Sequence, residues 1–96
     1  NVEKGYDAAR QCAISLLAQL KSAVNGDLNK VTKVVKLGGF VNSASDFTEQ
    51  PSVINGASDL LVELLGEKGR HARTAVGASL PLGVAVEIDG IFEVES

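Results

Sequence analysis

Four side chains in this 96-residue sequence stand out as able to do chemistry: Cys12, His71, Arg73 and Glu87. A cysteine acts as a nucleophile when a nearby base or cation favours its thiolate. Cys12 has no base for company in the segment that carries it, so it reads as a small packing residue. Histidine is the usual carrier of a proton near neutrality, but His71 lies in the polar turn GEKGRH with no visible partner, where a solvated role is expected. One cysteine and one histidine offer no metal-ligand set and no internal disulfide. Arg73 and Glu87 are placed differently. They stand on two consecutive apolar segments, ARTAVGA (72–78) and 84–94, which the corner Leu80-Pro81-Leu82-Gly83 folds together. The simplest role for such charges is an ion pair between neighbouring strands that holds their register.

The elements that must position them follow from periodicity. From Glu3 to Val24 the residues Tyr6, Ala9, Ala13, Leu17, Leu20 and Val24 recur at helical steps, with Leu16 widening the stripe, and Asn25-Gly26 closes the helix. KVTKVVKLGGFVN (30–42) is rich in β-branched residues and predicts a strand. Its Gly38-Gly39 pair points to a bulge or, alternatively, to a close approach by another backbone or a ligand. SASDFTEQP (43–51) is a loop, with Pro51 near the first turn of the next helix. Val53, Ile54, Ala57, Leu60, Leu61, Leu64 and Leu65 keep the 3.6-residue period until Gly66 stops it. After the strand 72–78, residues 84–94 alternate: Val84, Val86, Ile88, Gly90, Phe92 and Val94 face one way, Ala85, Glu87, Asp89, Ile91 and Glu93 the other. The order α-β-α-β-β predicts an α+β fold, a mixed sheet with two helices on one face, forming a single domain over residues 1–96.

Composition narrows the partners. A net charge of -3 and an aromatic content of 4% provide neither an electrostatic groove nor stacking platforms for nucleic acid. No apolar run is long enough to span a bilayer, and the lone cysteine fits a reducing, cytoplasmic setting. A sheet covered on one side only leaves a second face carrying Ala75, Ala85 and Ile91, too apolar to suit water. A homo-oligomer assembled through that face is therefore expected. This puts Glu87 in or near a subunit interface, where a carboxylate is costly without a compensating cation or hydrogen-bond network.

RTAVGASLPLGVAVEID, preceded by KVVKLGGFVNSASDF and GYDAARQCAISLLAQLK, resembles the YjgF/RidA family, also labelled endoribonuclease L-PSP or translation initiation inhibitor proteins. Within it, VINGASDLLVELLGE and the His-Ala-Arg, Ala-Val-Gly and Leu-Pro-Leu-Gly groups resemble a branch of longer bacterial members. The likeness spans essentially the whole chain. It implies a chorismate-mutase-like fold and a homotrimer with ligand clefts between subunits. It also implies hydrolysis of reactive enamines and imines, such as 2-aminoacrylate, to a 2-keto acid and ammonia, without metal or cofactor. On this likeness Arg73 anchors the substrate carboxylate through its planar fork, and Glu87 orients or deprotonates the attacking water.

The sequence also departs from the family. Where members active on 2-aminoacrylate carry a cysteine two residues after the arginine, this chain has Ala75, leaving only backbone groups to meet a ligand. The stretch from Arg73 to Leu80 is one residue shorter than the family pattern, and one residue reverses side-chain direction in a strand. The chain opens at its first helix, so the family's N-terminal β-hairpin is expected to be missing from these residues. Three functions stay open: an enamine/imine deaminase, a non-catalytic trimer binding a small carboxylate such as a 2-keto acid, and, last, an endoribonuclease.

Overall fold

The first helix starts where the Asn1 side chain accepts a hydrogen bond from the Lys4 amide at 2.9 Å, meeting one of the orphan donors of the first turn. In this computed structural model, which describes residues 1–80 and 83–95, helix α1 runs Val2–Ala23 and buries Ala9, Ala13, Leu17 and Leu20. It closes through Asn25 and Gly26 in the left-handed region, at φ 56 and 86, and the Gly26 amide donates to the Lys21 carbonyl at 2.8 Å. A short 3-10 turn at Leu28–Lys30 leads into strand β1, Val31–Val41. Helix α2, Gln50–Leu65, has Pro51 in its first turn and ends at Gly66, φ 63. A second 3-10 turn, Gly66–Gly69, feeds strand β2, Ala72–Gly77, and strand β3 is Val86–Val94.

The sheet order is β2-β1-β3, with β2 parallel and β3 antiparallel to β1. Parallel β1 and β2 need a crossover, and α2 supplies it. This order corrects one expectation. The segments bearing Arg73 and Glu87 are consecutive in sequence, but β1 lies between them, so no ion pair across adjoining strands can form. β2 ends and β3 begins at the C-terminal end of β1. There the Ala78 amide donates to Val41 O and the Asn42 amide to Ala85 O, both at 2.9 Å, and Asn42 Nδ2 donates to Val84 O at 3.2 Å. Pro81 and Leu82, the apex of the expected corner, fall outside the described residues.

Both helices cover one face of the sheet. Leu37, Ile54 and Leu61 are fully buried between the layers, with Val31, Val34 and Val53 beside them. Along β3 the predicted alternation holds: Val86 is buried, Ile88 and Phe92 pack on the core, and Glu87, Asp89, Ile91 and Glu93 are exposed. The stripe on α2 holds as far as Leu65, which packs on the core, except that Leu64 is 59% exposed.

The glycines of β1 do not form the bulge expected of them. Register shifts occur upstream, at Val31/Lys33 and Val34/Lys36. Gly38 and Gly39 instead mark close approach from opposite sides. A Cβ on Gly39 would lie 2.6 Å from Ile54 Cδ1 on the helix side, and the Asp89 carboxylate occupies the space a Gly38 side chain would need. The helices themselves meet at Gly56, where a Cβ would run into the Tyr6 carbonyl. Around this crossing Tyr6 Oη donates to Asp59 at 2.8 Å and Arg10 pairs with Glu63 at 3.3 Å.

Candidate functional site

Strand register decides where the charged residues point. Leu37, Gly39 and Val41 face the helices, and their β2 partners Arg73, Ala75 and Gly77 share that side. Arg73 accordingly reaches α2: its Nη1 donates to Asn55 Oδ1 at 2.7 Å and to Ser58 Oγ at 3.2 Å. Ala75 packs partly against the core. It therefore belongs to the covered side, not to the open face on which it was expected. Glu87 pairs with Phe40 and shares the open face with Thr74, Val76, Asp89 and Ile91. Val76 and Ile91 are 40% and 60% exposed there, so the open face keeps the apolar character expected of it even without Ala75.

Arg73 and Glu87 therefore lie on opposite edges of the sheet and on opposite faces. Two strand spacings and three residues of rise separate their Cα atoms by roughly 14 Å, with the side chains diverging. One chain does not bring the two together. The ion pairs among the described residues are Arg10–Glu63 and Arg70–Glu67. A cleft of about 480 Å³ near the start of α1 is lined by residues that include Lys4, Ala8, Asn42, Phe47 and Ala85, and by neither Arg73 nor Glu87.

Cys12 behaves as the packing residue it was expected to be. Its Sγ lies 3.6 Å from the Val86 carbonyl. Burial, and secondarily the Glu87 charge, push its pKa above the usual thiol range, which keeps the group protonated.

His71 is not solvated and free. Its Nδ1 lies 2.5 Å from the Gly69 carbonyl and its Nε2 2.9 Å from Ser58 Oγ. Ser58 and His71, with Val62, Arg70 and Arg73, line a cleft of about 230 Å³ between α2 and β2. Sequence reasoning missed this grouping. Its signal was present: Asn55, Ser58 and Val62 follow helical spacing along a stripe beside the apolar one, and His71 and Arg73 flank the strand that must return to that helix. Among the described residues no cluster of His, Cys, Asp and Glu is suited to a metal ion, and no helix is long and apolar enough to cross a membrane.

Comparison with known proteins adds to this geometry. Residues 1–87 match a family model described as "YjgF/chorismate mutase-like, putative endoribonuclease". Protein TCP17 of Trypanosoma cruzi is 53% identical over 97 aligned positions, which take in 99% of this chain and 60% of that protein. Among solved structures, Atu1372 of Agrobacterium tumefaciens, a protein of unknown function, is 54% identical with a TM-score of 0.98, covering 100% of this chain and 62% of that one. A "putative endoribonuclease" from Shewanella oneidensis is 35% identical with a TM-score of 0.93, covering 98% of this chain and 62% of that one. The chain thus spans about three fifths of the length of each of these relatives.

Proposed function

Because the chain belongs to the YjgF/chorismate-mutase-like family, we propose that it hydrolyses small enamines or imines bearing a carboxylate, such as 2-aminoacrylate, to a 2-keto acid and ammonia. The observation that carries this reading is the setting of Arg73. Its recorded hydrogen bonds to Asn55 and Ser58 both use Nη1, so the guanidinium is held in place while its other N–H groups remain to receive a carboxylate in two parallel charge-assisted bonds. Glu87, exposed beside Phe40, supplies a carboxylate that can accept a proton from water attacking the imine carbon. Imines hydrolyse readily without help, so positioning is the main task.

Since the two residues diverge within one chain, the reading requires two copies. The β2 edge of one copy must meet the open face of another, with the exposed Val76 and Ile91 as part of what that contact covers. A ring of three copies would repeat the contact at each junction. The test follows from this division of labour. Arg73→Ala and Glu87→Gln should each abolish keto-acid formation from dehydratase-generated 2-aminoacrylate. An equimolar mixture, unfolded and refolded together, should recover about a quarter of wild-type activity, because half the arginine donors and half the glutamate donors are intact at random junctions. A rate equal to buffer for the wild-type protein, or no recovery in the mixture, would remove the proposal.

One observation favours a second reading, a binding oligomer without turnover. Ala75 offers no side-chain nucleophile or donor at the place where active relatives are expected to have cysteine. Calorimetry with a 2-keto acid separates the two: binding lost in Arg73→Ala, with no keto acid formed from the imine, supports the binder.

A further inference from the structure

The cleft between α2 and β2 that presents Arg73 also holds a serine–histidine pair whose chemistry the imine reading does not use. A carbonyl oxygen can only accept, so the contact with Gly69 O requires the proton of His71 to sit on Nδ1. In the neutral imidazole Nε2 then has a free lone pair, to which the Ser58 hydroxyl 2.9 Å away donates. The same oxygen accepts from Arg73 Nη1 at 3.2 Å. One hydroxyl is thus held between a base that can take its proton and a fixed cation that stabilises the resulting alkoxide. These are the mutual positions that define an activated serine, with a backbone carbonyl in place of the usual acid as the group orienting the imidazole.

The arrangement is built rigidly. Gly69 cannot be replaced without a Cβ striking the Leu61 carbonyl, so the turn that presents its oxygen to His71 lies directly against α2. Asn55 Oδ1 holds the same Arg73 nitrogen at 2.7 Å. Ser58 and His71 are both half-buried, and Arg70 and Arg73 at the mouth are exposed. The cleft, about 230 Å³, suits a small ligand, and its two guanidinium groups favour an anionic one.

We propose that Ser58 is a nucleophile for acyl transfer from small esters that carry a negative charge. In the first half-reaction Ser58 Oγ bonds to the acyl carbon and its proton passes to His71 Nε2. The bond from that carbon to the leaving oxygen then breaks, and the departing alcohol takes the proton from His71. In the second half-reaction water attacks the acyl-serine and gives a proton to His71 Nε2. The Ser58–acyl bond breaks, and the proton returns to Ser58 Oγ. The sum is ester plus water giving carboxylic acid plus alcohol, with no oxidant, metal or cofactor. Arg73 stabilises the alkoxide, and Arg70, whose Nε pairs with Glu67 at 3.1 Å, has its terminal N–H groups left for the substrate charge. The proposal rests on Ser58 and His71, shares Arg73 with the imine reading, and does not depend on Glu87 or on a second copy.

The experiment treats the protein with mono-4-nitrophenyl terephthalate, an anionic activated ester whose carboxylate cannot reach its own ester carbonyl, and follows nitrophenolate release together with peptide mass mapping. Expected are a rapid release stoichiometric with protein and a carboxybenzoyl group on the peptide containing Ser58. Ser58→Ala should lose both, and His71→Gln should slow acylation by about 10²–10⁴-fold, the range for removing a general base. Mapping on the wild-type protein needs no variant, so a folding defect cannot obscure the result. Label spread over lysines with none on Ser58, or equal release by wild type and Ser58→Ala, would overturn the proposal. The adduct and the keto-acid product are read separately, so failure here is distinguishable from failure of imine hydrolysis.

Discussion

Gly56→Ala is the substitution whose sign the structure decides most sharply. In an isolated helix the change would stabilise by about 1 kcal/mol, because alanine loses less backbone freedom on folding. Here the added Cβ would stand 2.0 Å from Tyr6 O, 2.9 Å from Tyr6 C and 3.1 Å from Arg10 N, all backbone atoms of α1. No rotamer change can relieve a contact with main chain, so the helices must move apart by about 1.4 Å to restore an ordinary van der Waals distance. A gap of 0.5–1 Å already forfeits about a quarter to a half of each pairwise attraction across an interface. The same displacement stretches the Tyr6–Asp59 hydrogen bond and the Arg10–Glu63 pair, which span this crossing. Overpacking of this kind costs about 1–3 kcal/mol, and an unyielding backbone contact belongs at the upper end. Set against the propensity gain, the net loss should be about 2 kcal/mol. Urea unfolding followed by circular dichroism, at fixed protein concentration in case of self-association, should show a lower midpoint with an unchanged slope. A midpoint equal to or above wild type would refute the close crossing of α1 and α2.

The neighbouring glycines of β1 should differ from each other. Gly39→Ala presses on Ile54, which is fully buried, and should cost about 1–3 kcal/mol in chemical denaturation. Gly38→Ala meets only the end of the exposed Asp89 side chain, which can swing away, so its midpoint should stay within about 0.5 kcal/mol of wild type. Leu61→Asp places a carboxylate at a fully buried position among apolar neighbours and should abolish the cooperative unfolding transition. The raised Cys12 pKa means the folded state holds its thiol proton more tightly than the unfolded chain. Its contribution is complete below the ordinary thiol range of about 8.5 and is lost as pH rises through the higher folded value. Wild type should therefore lose more stability than Cys12→Ala on going from pH 8 to about pH 10, and iodoacetamide should label folded Cys12 more slowly than a free thiol.

Both helices and the two sides of β3 were legible because each rests on a local period: Leu17 and Leu20 on α1, Leu60 and Leu61 on α2, Val86 and Ile88 against Glu87 and Asp89. Strand order was not legible in the same way. Nothing local in ARTAVGA or in residues 84–94 says that β1 will come between them, because that outcome follows from α2 crossing over the sheet. Ala75 was misplaced for the same reason, since its side is set by pairing with Gly39 and not by its own neighbours. The bulges of β1 lie among Val31, Lys33, Val34 and Lys36, where lysines interrupt the alternation, while the conspicuous glycines drew the expectation downstream. His71 looked unpartnered because Ser58, its partner, lies across a turn whose compactness depends on Gly69 fitting against Leu61.

The central strand has an implication for how this chain is made. β1 is complete in sequence by Val41, but one of its flanks stays open until β3, ending at Val94, has left the ribosome. At roughly 5–20 residues per second of synthesis, the nascent polypeptide spends seconds with that flank unpaired and with Leu16 lacking the Phe92 side of the core. A hairpin would have closed such an edge at once. Here the seam is sealed only after α2 and β2 have been made, and during that interval the emerging chain gains from a chaperone.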